Sequence, residues 1–150
     1  MIFRKTVGYA LQTVIYLSTQ PFKKPILQKE ITNTLDIPHH YLGKILQTLT
    51  KSGLVGSKTG AFGGFYLVKP ANKITLFNIV TLFEGVDYFE HCVLGFPGCD
   101  DNTPCPVHKE WSSAMIIIQS FMKEHTVAEW GAEIGPKLDY IKILKESKSI

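Results

Sequence analysis

All three cysteines of the chain lie in one short segment, and a histidine follows the last of them. Six residues separate Cys92 from Cys99, five separate Cys99 from Cys105, and His108 stands three positions after Cys105. The segment is rich in glycine and proline, which let a loop turn sharply and bring several side chains to one point. Cysteines that served only as small core residues would be spread along the chain. The pattern therefore predicts a metal or iron–sulfur site.

The number of cysteines and the N-terminal pattern both favour metal ligands over disulfides. Three is an odd number for a disulfide framework. The N-terminal segment carries Arg4 and Lys5 but continues as an amphipathic pattern rather than a signal peptide. The longest apolar run, residues 114–118, is far too short to span a bilayer. We therefore expect a cytoplasmic protein with no membrane partner, in a compartment that keeps thiols reduced.

Charge is unevenly distributed along the chain, which has 150 residues, the size of one domain. Residues 1–60 contain eight Lys or Arg against two acidic residues, a balance of +6. Residues 61–150 contain eight Lys against eleven acidic residues, a balance of −3. A basic N-terminal half on a chain of net charge +3 predicts a face that binds a polyanion, and chance scatter of charges is the alternative.

Apolar periodicity predicts three helices in the N-terminal part. They span residues 3–19, 27–35 and 38–52, and each repeats apolar side chains at intervals of three or four. Pro38 suits the first turn of the third helix because its missing N–H would be unpaired there. Gly53 suits the position just after that helix ends.

A hairpin is predicted next. Two short β-like runs, residues 54–58 and 65–68, flank a glycine-rich turn, and a further helix is predicted over residues 74–83. Helix, short helix, tight turn, helix and hairpin is the order of a winged helix-turn-helix. The predicted fold class is therefore mainly α with a small β-hairpin wing, and residues 1–83 form the DNA-binding domain.

The third helix and the wing carry the side chains expected to contact DNA. The start of the helix would enter the major groove, where polar side chains reach base edges or phosphates. Glycines at the wing tip would let the backbone approach the sugar–phosphate chain closely. Lys51 instead fits an ordinary solvated helix face. The predicted DNA-binding residues are His39, His40, Lys44, Gln47, Lys58, Thr59 and Gly60.

A strongly apolar helix is predicted after the cysteine-rich loop. We assign residues 84–108 to a cluster-binding loop, 106–130 to a long dimerisation helix and 131–150 to a C-terminal helix or tail. Ile116 and Ile117 make the long helix apolar over more than one face. A symmetric partner would cover the additional apolar surface of this helix. The alternative is that it is the central helix of a monomer. The predicted dimerisation residues are Trp111, Met115, Ile118, Phe121 and Met122.

These segments together resemble the bacterial iron–sulfur winged-helix transcription regulators of the IscR and NsrR type. The resemblance runs from Ile2 to about Trp130 and lies in residues 8–11, 37–42, 49–55, 60–67, 74–76 and the three cysteines. It implies a homodimer that binds palindromic promoter DNA, with an iron–sulfur cluster on Cys92, Cys99 and Cys105 near the dimer interface. Members of this group sense nitric oxide, iron or cluster supply, or redox state.

The fourth cluster ligand differs between branches of that group. In the IscR-like branch it is a histidine three residues after the last cysteine, the position of His108 here. In the NsrR-like branch it is an acidic residue of the partner's first helix. This chain has Gly8 there, and residues 1–20 contain no Asp or Glu. We favour His108. His91, Asp100 and Asp101 are the rivals for the same role.

The predicted ligands are compatible with more than one cofactor. Three thiolates and one imidazole favour a two-iron cluster. A four-iron cluster is the alternative, partly because this chain has six residues between its first two cysteines, whereas IscR-like chains usually have five. A preparation exposed to air could also lack the cluster. The same ligands suit tetrahedral zinc, and the thiols alone could act as a redox switch. No nucleophile–base pair, phosphate loop or HExxH pattern is present, so neither an enzyme nor a small-molecule substrate is predicted.

Overall fold

The structure is a computed structural model that describes residues 2–149. Within that range the chain forms seven α-helices and one two-stranded sheet. In chain order the elements are α1 (Lys5–Ser18), α2 (Gln28–Leu35), α3 (His39–Lys51), β1 (Val55–Lys58), β2 (Gly64–Leu67), α4 (Leu76–Glu84), α5 (His108–Glu124), α6 (Val127–Glu133) and α7 (Gly135–Lys148). This order confirms the predicted class, mainly α with one small hairpin.

The core lies where the first four helices and the base of the hairpin meet. Apolar side chains spaced three or four apart along each helix point inward and are almost fully buried, among them Val7, Val14, Ile31, Leu42, Leu46 and Ile79. The turn from α2 to α3 is made at Asp36, whose φ of 57° is left-handed. A short polar side chain tolerates that conformation better than a bulky one. The turn fixes the angle at which α3 leaves α2.

The hairpin is anchored to the helical core at its base. β1 and β2 pair antiparallel in register from Val55 opposite Leu67 to Lys58 opposite Gly64. Phe65 also exchanges two backbone hydrogen bonds with Ile26, of 2.9 and 2.8 Å. A side chain at Gly64 would place its Cβ 2.4 Å from the Ile26 backbone, so only glycine allows this approach. The wing is thus held at a fixed angle to α2 and α3.

The single long helix predicted over residues 106–130 is wrong in its extent. α5 begins at His108 and ends at Glu124, His125 is extended, and α6 starts a new helix. The Thr126 side chain accepts a hydrogen bond from the Glu129 N–H and so caps α6. Thr126 also forms an isolated antiparallel bridge with Thr75, and the Val127 N–H donates to the Ile74 carbonyl at 2.8 Å. Capping and bridging together outweigh the continuous helical pattern.

The C-terminal segment, predicted as a helix or a tail, forms helix α7. It packs against α2, where Lys145 Nζ donates to the Asn33 carbonyl at 2.5 Å and lies 4.0 Å from an Asp36 carboxylate oxygen. Helix α7 therefore contacts the helix-turn-helix rather than extending into solvent. None of the helices in residues 2–149 is long and apolar enough to cross a membrane.

Candidate metal centre and nucleic-acid interface

The three cysteine thiols converge in the loop between α4 and α5. Their Sγ atoms all lie within 4.8 Å of one another, and those of Cys92 and Cys105 are 3.6 Å apart. All three are free thiols and half-buried. The Cys105 N–H donates to Cys99 Sγ at 3.4 Å. The loop therefore brings residues as far apart as 92 and 105 into one thiol cluster, as the sequence pattern predicts.

His108 lies at the edge of the thiol cluster with both ring nitrogens engaged. Its Nδ1 is 3.3 Å from Cys99 Sγ, and its Nε2 is 3.0 Å from an Asp101 carboxylate oxygen. A metal-binding imidazole commonly uses one nitrogen as the ligand while the other donates its N–H to a carboxylate, which fixes the tautomer and the ring orientation. In His108 the Nδ1 atom thus faces the thiols, and Asp101 contacts the opposite nitrogen.

The rival ligands named from the sequence have other partners. The Asp100 carboxylate accepts hydrogen bonds from the backbone N–H groups of Asn102 and Thr103, both at 2.8 Å. These bonds, the one from Thr103 first, lower the pKa of Asp100, so the carboxylate is ionised and caps the loop. His91 is exposed and its Nε2 lies 3.2 Å from an Asp87 carboxylate oxygen. Of the four candidates only His108 contacts a cysteine sulfur in this geometry.

The loop favours thiolate formation at Cys92. Desolvation raises the pKa of the Cys92 thiol, but hydrogen bonds from the backbone of Phe96 and Leu94 and the contacts with the other two thiols outweigh it, and the pKa falls to about 7. At Cys99 the Cys105 N–H lowers the pKa, whereas desolvation and the two neighbouring thiols raise it more, and the net shift is upward. The cluster thus holds one thiol that ionises easily beside one that resists a second negative charge.

A cavity of about 460 Å³ opens beside the thiols. Its wall includes the start of α5, where Trp111 Nε1 donates to the His91 carbonyl at 2.9 Å. Ser112 and Ile116 of the same helix also line it. The site is therefore built on both the loop and α5, and a group bound there would contact the helix directly.

The predicted DNA-binding residues all lie on the surface. His39, His40, Lys44 and Gln47 of α3 are exposed, as are Lys58, Thr59 and Gly60 at the end of β1 and in the turn. Gln47 and Ser57 line the same concave surface of about 360 Å³ between α3 and the wing. Ser57 and the exposed Phe62 of the wing are not among the residues predicted to contact DNA, since neither carries charge or periodicity that marks a contact.

The predicted dimerisation stripe divides into two sets. Met115 and Met122 are buried in the protomer's own core, so their side chains do not lie on an accessible face. Trp111 and Ile118 are half-buried, and Phe121 is exposed. The adjoining Ile116 and Ile117 are the most exposed apolar residues of α5, at 64% and 70%. The accessible apolar face is therefore rotated from the stripe that periodicity predicts.

Comparison with known proteins decides the family. A family model described as "Rrf2: Iron-dependent Transcriptional regulator" matches residues 3–132, most of the chain. The chain belongs to the Rrf2 family. This Rrf2 protein is therefore a helix-turn-helix transcription regulator of a family that binds DNA, and the predicted resemblance is confirmed at the level of the family. Helix α7 lies beyond the matched residues.

Individual relatives agree with that assignment. An Aquifex aeolicus (strain VF5) protein, provisionally named an HTH-type transcriptional regulator, is 36% identical over 131 residues that cover 86% of this chain and 90% of the relative. The fold is similar to T. potens IscR, with a TM-score of 0.71, 21% identity and coverage of 90% of this chain and 89% of that one. It is equally similar to CymR, the global cysteine regulator of B. subtilis, with a TM-score of 0.71, 23% identity and coverage of 87% and 96%.

Proposed function

We propose that this Rrf2 protein is a homodimeric regulator whose promoter binding is controlled by an iron–sulfur cluster held by Cys92, Cys99, Cys105 and His108. The observation that carries the proposal is the convergence of three half-buried thiols within 4.8 Å, with an imidazole nitrogen 3.3 Å from one of them. Thiolates are the usual protein ligands of such clusters, and histidine replaces some of them in others. The donor set therefore fits the group that the family description implies.

The chain's own residues would hold and orient the group. Three thiolates supply anionic ligands, and Asp101 orients the His108 ring. When bound, a cluster supplies redox and ligand-exchange chemistry. Three thiolates and one imidazole favour two irons, and four irons stay as an alternative. Trp111 and Ile116 belong to α5 and also line the cavity beside the thiols. Loss of the group would therefore release contacts that position that helix.

The partner in the proposed dimer is a second copy that covers the accessible face of α5. Ile116, Ile117 and Phe121 lie on this face, and exposed apolar residues clustered on one helix are typical of an interface. A twofold dimer presents two copies of α3 and two wings, so its DNA target would be palindromic. The spacing between the two α3 helices would then depend on how the α5 helices pack.

The dimer can be tested by one matched pair of variants. Ile117→Glu should convert the dimer into a monomer, measured by sedimentation, because a carboxylate would be buried without a partner. Ile143→Glu on α7 is the control, since Ile143 is exposed to a similar degree and lies outside the proposed interface. A dimer that survives Ile117→Glu would contradict the proposed use of α5.

The cofactor is tested by purification without oxygen, followed by analysis of iron and sulfide and by visible absorption. The proposal expects both elements and a brown protein whose affinity for promoter DNA changes when the group is removed. His108→Ala should lower iron content, whereas His91→Ala, a histidine beside the same loop, should not. A colourless protein after reconstitution with iron and sulfide would overturn the cluster.

A zinc site is the second candidate, because three sulfurs that all lie within 4.8 Å of one another could bind one ion. A tetrahedral ion with metal–sulfur bonds near 2.3 Å places two thiolates about 3.8 Å apart. Cys92 and Cys105 are 3.6 Å apart, close to that value. Stoichiometric zinc without sulfide would select this candidate. Protein with neither metal, whose DNA affinity changes on thiol oxidation, would select a thiol switch instead.

A further inference from the structure

The tip of the wing holds an aromatic side chain in water. Phe62 is 90% exposed, the highest value among the large apolar residues of the described chain. Single exposed apolar residues are common and by themselves mean little. Phe62, however, sits beside Lys58 and Thr59, on the element that a winged-helix regulator brings to DNA. Its position on that element is what distinguishes it from the other exposed residues.

The backbone under Phe62 is fixed rather than loose. The Gly63 N–H donates to the Gly60 carbonyl at 3.0 Å and closes the turn. Gly63 is buried, and a Cβ there would lie 2.2 Å from the Lys58 carbonyl oxygen. Gly60 has a φ of 102°, a conformation that favours glycine. The turn therefore holds the backbone at Phe62 with the ring outward, which lowers the cost of ordering that backbone at the moment of binding.

The wing and α3 border one concave surface. Gln47 and Thr50 of α3 line it opposite Ser57 of β1. With α3 in the major groove, the neighbouring groove along the duplex is the minor groove, about 17 Å away, half of one helical turn. Each strand of the wing has four residues, and such a strand extends about 13 Å. The five residues of the turn, 59–63, extend beyond the strands, so the length of the wing is comparable with that separation.

We propose that Phe62 is a wedge that enters the minor groove and partly unstacks one base step of the bound DNA. Apolar side chains that insert in this way bend the duplex toward the major groove. Pyrimidine–purine steps unstack most easily, so the wedge would select such a step at a fixed distance from the bases read by α3. Lys58 beside it would contact phosphate. The inference rests on the proposed DNA-binding function and adds a specificity determinant that makes no hydrogen bond to a base.

The experiment starts with duplexes recovered from a random pool by repeated selection on the full-length protein. The recovered sequences should share a TA or CA step at a constant distance from each conserved half-site. A 2-aminopurine base placed at that step should brighten on binding as it unstacks. End-labelled duplexes should show a bend by energy transfer.

Four variants separate the wedge from its alternatives. Phe62→Ala should weaken binding about tenfold, within the range found for base–aromatic stacking, and remove the bend and the 2-aminopurine signal. It should leave the salt dependence unchanged, because no phosphate contact is lost. Lys58→Ala should instead lower the slope of log K against log salt by about one. Phe62→Leu should keep most of the bend, and Phe22→Ala, an exposed phenylalanine in the loop between α1 and α2, should behave as wild type.

Two failures are distinguishable. If Phe62→Ala binds, bends and selects the same sequences as wild type, the wedge is overturned and the regulator function stands. If the wild-type protein recovers no duplex from the pool, the proposed function is overturned and the wedge falls with it.

Discussion

The helical core and the cysteine loop are stabilised in different ways. From α1 to α4 each element contributes fully buried side chains, such as Val7, Leu46 and Ile79. Within residues 85–107, all of which the structure describes, Phe89 is the one buried side chain. The loop is instead held by local polar contacts and by the approach of its thiols. The N-terminal half is therefore stabilised by hydrophobic burial, whereas the loop has little buried apolar surface of its own.

Truncating a side chain in each region tests this contrast most strongly. Leu46→Ala should lower the free energy of unfolding by about 2–5 kcal/mol, because it leaves a cavity in a close-packed core. Leu94→Ala, in the exposed part of the loop, should change it by less than about 0.5 kcal/mol. Urea unfolding measures both. Equal losses would show that the loop is part of the same cooperative core.

Removal of the proposed metal or cluster should affect the loop and not the core. At a free concentration one hundred times its Kd, a bound group stabilises the state it binds by about 2.7 kcal/mol. Chelation should therefore speed proteolytic cleavage within residues 92–107 by up to about one hundredfold, while α1 to α4 stay resistant. Mass spectrometry of the fragments locates the cuts. Cuts that appear first in α2 or α3 would contradict the separation of the two regions.

The Asp101–His108 pair should matter more than its neighbour. Asp101→Asn should weaken metal binding by about tenfold, the lower end of the range for an orienting carboxylate, because the Asp101 side chain is fully exposed. The control is Asp87→Asn, which disturbs the corresponding carboxylate–imidazole pair at His91. Competition with a chromophoric chelator measures both affinities. Equal effects of the two substitutions would remove the case for His108 as the ligand.

The smallest effect is expected at the start of α6. The hydrogen bond from His125, followed by those from Thr126, lowers the pKa of Glu129 below its usual value. A lowered carboxyl pKa stabilises the fold above the unfolded-state pKa, and this contribution disappears as the pH falls through the folded-state pKa. Glu129→Gln should therefore lower the Tm slightly at pH 7 and match wild type in acid. A difference that persists in acid would point to lost packing instead of charge.

The helical core could be predicted from the sequence because burial imposes a period. Apolar residues that recur every three or four positions predicted the bounds of α1 to α4 to within a few residues, and glycines predicted the turn of the wing. The start of a separate helix, α6, could not be predicted in this way. It depends on Thr75, which is distant in sequence, and on the cap at Thr126.

The candidate site was predictable in type and only partly in detail. The sequence spacing alone predicted that the three cysteines lie close together, because a short loop limits how far they can separate. The contact between Asp101 and His108, at 3.0 Å, could be found only from coordinates. Met115 and Met122 fit the apolar period of α5, but that period does not say whether a helix face meets its own core or a partner.

The bridge between Thr75 and Thr126 has a consequence for how the regulator can vary. It joins the two ends of the segment that contains α4, the cysteine loop and α5. The chain thus leaves the helical core after α4 and returns to it at α6, next to the start of α4. An insertion or deletion in the exposed loop alters the length of the segment between Thr75 and Thr126 without shifting the register of α1 to α3 or the wing. The cysteine loop can therefore gain or lose residues during evolution, or be exchanged by design, while α3 and the wing keep their arrangement.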